Sequence, residues 1–207
     1  MLTRISRSGL AALMVLVLAG FGLATTAPPA SADTIIPINW TVNASTTLKS
    51  LGLSVTVPPG TFVGQVDLTT GALSGNLNLP AASKTISLLG LPLATATFSM
   101  KENGPITGHV DLATQTVTVN SSFTFNITSA TLSIAPWLNL VGNNCRGVSP
   151  ISVNMSGPVN LTGASTFSST YTVPKFTGCG FLVTPLLNLI IPGPGNTFTA
   201  TFAPPAP

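Results

Sequence analysis

The sequence predicts an all-β fold, an antiparallel β-sandwich or barrel built from repeated hairpins and carrying one disulfide. Three observations point there. The first is a hairpin motif written three times, as Gly64-Gln-Val-Asp-Leu-Thr-Thr-Gly-Ala-Leu73, Gly108-His-Val-Asp-Leu-Ala-Thr-Gln-Thr-Val117 and Gly157-Pro-Val-Asn-Leu-Thr-Gly163. The second is alternation of apolar and polar residues over strand-length stretches, the pattern of a half-buried antiparallel strand. The third is composition: charged residues make up 5% of the chain, while Gly and Pro number 19 and 18. Hydroxyls and amides must then cover the solvated faces, and the glycines and prolines mark many turns.

Taken in order, residues 1–32 read as a signal peptide. Arg4 and Arg7 form its basic start, 10–24 its apolar middle, and Ala30-Ser31-Ala32 a small-residue cleavage site before Asp33. No cysteine stands there to carry a lipid, no arginine pair marks a twin-arginine signal, and the apolar run is short for a membrane anchor. Residues 33–207 are expected to form a single all-β domain with tandem units starting near 64, 108 and 157. An arm bearing Ile35, Ile36, Ile38 and Trp40 leads to strands at 41–44 and 51–57, the second stopped by Pro58-Pro59-Gly60.

In the first hairpin Val66 and Leu68 share a face, because side chains on a strand alternate. The return strand sets Leu73, Leu77 and Leu79 against Ser74, Asn76 and Asn78, until Pro80, which has no ladder donor, ends it. Strands at 83–89 and 94–100 flank the Leu91-Pro92 break, and Glu102-Asn-Gly-Pro105 is a turn. The second hairpin runs on through Val117, Val119, Phe123, Phe125 and Ile127, with Thr118, Thr124, Asn126 and Thr128 on the other face. In the third, Phe167, Tyr171 and Val173 match Leu73, Leu77 and Leu79 only if one residue is inserted. A longer turn or a bulge is therefore expected near Gly163. Alternation returns at 196–202, before an extended tail.

Pro92, Pro136 and Pro185 follow the three opening glycines at the same distance, which marks a tandem repeat of about 49 residues in its last two units. The last two prolines open near-identical runs, Pro136-Trp-Leu-Asn-Leu-Val and Pro185-Leu-Leu-Asn-Leu-Ile. Runs this short do not declare helix or strand by period. Thr184 before Pro185 has the cap-then-proline form of a helix start. Two readings of the pair stay open. Both runs plug the ends of the β core, with Asn139 and Asn188 bonded to nearby backbone. Alternatively they line an apolar-ligand pocket or form a membrane-facing patch. Its candidate residues are Trp137, Leu138, Leu140, Leu186, Leu187 and Leu189, with Trp137 at the rim.

Cys145 and Cys179 are the only cysteines, and in an exported chain they are expected to pair. The loop of about 34 residues makes such a bond worth roughly 3–4 kcal/mol on the chain-entropy account. Zinc is disfavoured because no His, Asp or Glu lies near either cysteine. A reactive Cys145, activated by Arg146, is the weaker alternative to the disulfide.

Chemistry-bearing residues are few. His109 is the only histidine and shares a strand face with Asp111, so a Ser–His–Asp arrangement is formally open, beside the plain reading of a surface histidine. No Gly-x-Ser-x-Gly elbow and no phosphate-cradling glycine loop is present. Asp67, Asp111 and Asn160 hold one repeat position and are expected to cap turns rather than to assemble the dense oxygen shell of calcium. Four acids in all leave little scope for a glycosidase pair. Without residues 1–32, Lys49, Lys84, Lys101, Arg146 and Lys175 stand against Asp33, Asp67, Glu102 and Asp111. Such scattered cations do not make a track for nucleic acid.

Several stretches resemble a group of secreted actinobacterial proteins to which no activity is assigned. They are Leu51-Gly-Leu-Ser-Val-Thr-Val-Pro, Gly64-Gln-Val-Asp-Leu-Thr-Thr-Gly-Ala-Leu-Ser-Gly, Phe176-Thr-Gly-Cys-Gly-Phe, Thr184-Pro-Leu-Leu-Asn-Leu-Ile and Gly193-Pro-Gly-Asn-Thr-Phe-Thr. The resemblance implies a secreted β protein of a high-GC Gram-positive bacterium and brings no site with it. The expectation is a non-enzymatic protein, secreted or cell-wall associated, without cofactor or metal, whose partner is a lipid or another envelope component. The alternative is a carrier of an apolar ligand such as a lipid.

Overall fold

Alternating apolar residues, as the sequence demands, bury one face of nearly every strand. The structure, a computed structural model, describes residues 34–88, 91–160 and 163–205, without the side chain of Leu88. The predicted signal peptide and cleavage site lie outside the described residues. So do Leu89, the Leu161-Thr162 pair of the third motif, and Ala206-Pro207 of the tail.

Chain order is β1 (Ile35–Leu48), a 3-10 turn (Lys49–Leu51), β2 (Leu53–Asp67), β3 (Ala72–Asn78), β4 (Ala82–Leu88), β5 (Leu91–Glu102), β6 (Ile106–Asp111) and β7 (Thr116–Leu132). Then come β8 (Ala135–Asn139), β9 (Arg146–Gly147), β10 (Ile151–Pro158), β11 (Ser165–Val173), β12 (Phe176–Thr177), α1 (Val183–Ile190) and β13 (Gly193–Ala203). All strands join one antiparallel sheet whose main path is β11-β13-β1-β2-β3-β6-β7-β5-β4. β7 is the spine. One of its edges carries β6 and then β5, and the other carries β10, β9 and β8.

The sheet curls so that its buried face meets itself. Val66 of β2, Val110 of β6, Val119 of β7 and Phe167 of β11 line one cavity, and Phe202 of β13 meets Phe62 and Phe167 edge to face at 5.8 and 5.9 Å. A second cluster forms further along, where Phe125 stacks on Phe98 at 5.4 Å and meets Phe176 at 5.9 Å. The free ends of the sheet, β10 and β11, lie side by side, but among the described residues no ladder joins them. The sheet is therefore not closed, and a closed barrel is not what forms. The third motif differs from the first two for the same reason. β2–β3 and β6–β7 are laddered hairpins, whereas β10 pairs with β7 and β11 with β13.

Register gives the molecule two ends. Asp67, Asp111 and the start of β7 stand at one, which we call the turn end. The Leu48–Leu53 connection, the end of β7, β8 and α1 stand at the other. Beyond residue 128 of β7 the sheet is only half-buried, and β4, β5 and β8 flank it there.

The predicted disulfide, Cys145–Cys179, is present and both cysteines are buried. Pairing leaves neither thiol free, so the reactive-cysteine alternative lapses. The two near-identical runs diverge. Pro136–Asn139 lies in β8, while Pro185 sits inside α1, which starts two residues earlier than the Thr184 cap predicts, after Leu182.

Candidate functional site

The titratable groups serve the turns. Asp67 Oδ1 accepts the N–H groups of Thr69 (2.8 Å) and Thr70 (3.3 Å), and Oδ2 accepts the Thr70 hydroxyl at 2.6 Å. The Thr70 hydroxyl first, and the Thr69 N–H second, hold its carboxyl below the usual aspartate range. Asp111 Oδ1 likewise accepts Ala113 N–H (2.9 Å) and Thr114 N–H (3.1 Å), and the Thr114 N–H is the main cause of its lowered pKa. These are the caps expected at the shared repeat position. The third member, Asn160, donates its backbone N–H to Ser165 Oγ at 2.7 Å. Gly71 and Gln115 also share a repeat position, and both adopt positive φ, 73° and 52°. Glycine does so freely; glutamine does so under strain.

His109 faces Ala72 on β3 and Thr118 on β7, so no serine hydroxyl stands directly opposite it. Its imidazole packs against Gly71, where an added Cβ would lie 2.9 Å from Nε2. Among the described residues no three His, Cys, Asp or Glu side chains gather closely enough to hold a metal ion. Glu102 accepts the Leu77 N–H at 3.2 and 3.3 Å, where β3 has left the β6 ladder. Partial burial raises its pKa, against the opposing pull of that hydrogen bond.

Two apolar features remain. One is a cavity of about 50 Å³ at the turn end. Val66, Val110 and Val159 line it, the valines of the three Gly-x-Val motifs, as do Leu73, Val117 and Phe167 of the return strands. None of the six residues predicted for an apolar-ligand site reaches it. The repeat itself was the signal, since residues at one repeat position converge on one place. The cavity has about a third of the volume, roughly 150 Å³, of an engineered apolar cavity that admits benzene.

The second feature is the opposite end. Trp137 is 83% exposed, Leu138 52%, Leu140 37%, Leu186 58% and Leu189 82%. Leu187 alone of the six candidates packs against the core. Neither run plugs the core; only Val141 and Ile191, at their ends, are buried. Sequence reasoning missed Ile134, Phe181 and Leu182, which are 85%, 93% and 76% exposed. The large apolar residues exposed among the described ones lie towards this end, except Ile35, Ile36, Val63, Leu112 and Val148.

Each run is fixed by its asparagine, which acts as an extra peptide group. Asn139 Oδ1 accepts Ala130 N–H (3.0 Å), and Nδ2 donates to Thr128 O (3.3 Å). Asn188 Oδ1 accepts Phe176 N–H (2.6 Å), and Nδ2 donates to Phe176 O (3.0 Å). The disulfide and a Gly142 N–H bond to Cys179 O (3.2 Å) tie the two runs to one another. Leu138, Leu140, Leu186 and Leu189 are left exposed.

No protein-family model matches the chain, and no curated protein or solved structure matches it.

Proposed function

We propose that this is an exported, non-enzymatic protein of the cell envelope that attaches to a lipid surface through its apolar end. The observation that supports this is α1. Thr184 and Asn188 are its only polar residues, and Asn188 is engaged with the Phe176 backbone, yet none of its residues is buried and Leu186, Leu189 and Ile190 face outward. Phe181 and Leu182 lead into it, and Ile134, Trp137 and Leu138 extend the surface across the disulfide. Contiguous exposure of this kind marks an interaction surface. A tryptophan among the leucines suits the boundary between water and acyl chains. At eight residues α1 is too short to cross a bilayer, and no helix among the described residues is long and apolar enough to do so. It would lie in the interface.

The carrier alternative has less support, because the turn-end cavity is small. Flotation of the disulfide-bonded protein with phosphatidylcholine vesicles tests the proposal. The wild type should float, and Leu186→Ser with Leu189→Ser should abolish flotation at an unchanged melting temperature. A wild-type protein that stays in the dense fraction with every vesicle composition overturns it.

A further inference from the structure

Building on that attachment, we propose that the apolar end recognises anionic lipid, with Lys49, Arg146 and Lys175 seated at the headgroups around α1. The argument comes from where the few charges stand. Lys49 opens the turn after β1, and the next residue, Ser50, donates its hydroxyl to Ile191 O at 2.9 Å, just past the end of α1. Lys175 precedes Phe176, whose backbone is clamped by Asn188 of the helix. Arg146 follows Cys145, which is bonded to Cys179 four residues before Val183. All three are exposed. Lys84 lies in a strand row of the same half, reaching β7 through Ala96 at Ala130, whereas Lys101 reaches it midway, at Thr124 beside Glu102.

Two of the three described carboxylates lie at the far end. Asp67 and Asp111 are both at the turn end, about 30 Å away at the rise of a β-strand. Glu102, opposite Phe123, is partly buried and bonded to the Leu77 N–H. Among the described residues, three cations thus stand around α1, while two of the carboxylates, both turn caps, stand at the far end. A partner of mixed or positive charge gains nothing from that arrangement. A surface with negative headgroups above an apolar layer matches both halves of it.

Each basic side chain near an anionic membrane strengthens binding about fivefold. The experiment measures partition on vesicles of phosphatidylcholine alone and of phosphatidylcholine with phosphatidylglycerol, at low and high salt. The expected result is at least tenfold tighter partition with phosphatidylglycerol, lost at high salt. Arg146→Gln with Lys175→Gln should reduce partition on the mixed vesicles by about twenty-five-fold and leave partition on phosphatidylcholine alone unchanged. Equal, salt-independent binding to both vesicles overturns the anionic preference while attachment stands. Binding to neither overturns both.

Discussion

Replacing Trp137 with alanine should separate attachment from stability. The side chain is 83% exposed, so its removal leaves no cavity, and the stability change is expected within about 0.5 kcal/mol. The same truncation in a packed core would cost about 3–5 kcal/mol. At a lipid surface the loss is large. If half of roughly 200 Å² of aromatic surface enters the apolar layer, at about 25 cal/mol per Å² the side chain contributes about 2.5 kcal/mol. That corresponds to partition about sixtyfold weaker. Vesicle co-sedimentation and thermal unfolding of the same samples read the two quantities together. A fall of about ten degrees in melting temperature with unchanged partition would refute the reasoning, because it would put Trp137 in a core.

Other expectations follow from the same structure. Gln115→Gly relieves positive-φ strain and should raise stability by about 0.5–1 kcal/mol, net of the freedom gained by the unfolded chain. Gly71→Ala, at the matching position, should destabilise, since its Cβ would meet Val110 O; unfolding midpoints in urea measure both. Reducing Cys145–Cys179 should lower stability by roughly 3–4 kcal/mol and weaken flotation, because Phe181 and α1 lose their tether. Asp67 and Asp111 have native pKa values below the ordinary range. Their contribution is complete above that range and is lost as pH falls through the depressed native values. Melting temperature followed downwards from neutral pH should fall less steeply for Asp67→Asn with Asp111→Asn than for the wild type. Finally, the secreted protein should begin at Asp33 by intact mass; a product retaining residues 10–24 would contradict the signal-peptide proposal.

The parts of the fold legible in sequence are those fixed by neighbours in the chain. Asp67 and Asp111 announce their hairpins because the cap bonds reach only two and three residues ahead. The alternation along β7 names Phe123 and Phe125 as core residues, and both are buried. The third motif misleads because a ladder between β10 and β11 depends on where β7 and β13 draw them, which no local pattern encodes. The Pro136 and Pro185 runs show the same limit. Nearly one sequence becomes a strand against β7 in one place and a helix against β12 in the other, through the same asparagine side chain. Five apolar residues around an asparagine read as core by composition. Their exposure is visible only once the partners of Asn139 and Asn188 are known to be backbone at the end of the sheet.

The chain's two tryptophans stand at opposite ends, so they report orientation directly. Trp40, half-buried, lines the turn-end cavity, whereas Trp137 projects from β8 at the apolar end. Two single-tryptophan variants, Trp40→Phe and Trp137→Phe, should be mixed with vesicles whose acyl chains carry bromine, and tryptophan fluorescence recorded. The account predicts a blue shift and strong quenching of Trp137, and an unchanged spectrum for Trp40. Quenching of Trp40 with Trp137 unaffected, or no quenching of either in protein bound to the vesicles, would contradict attachment through the apolar end.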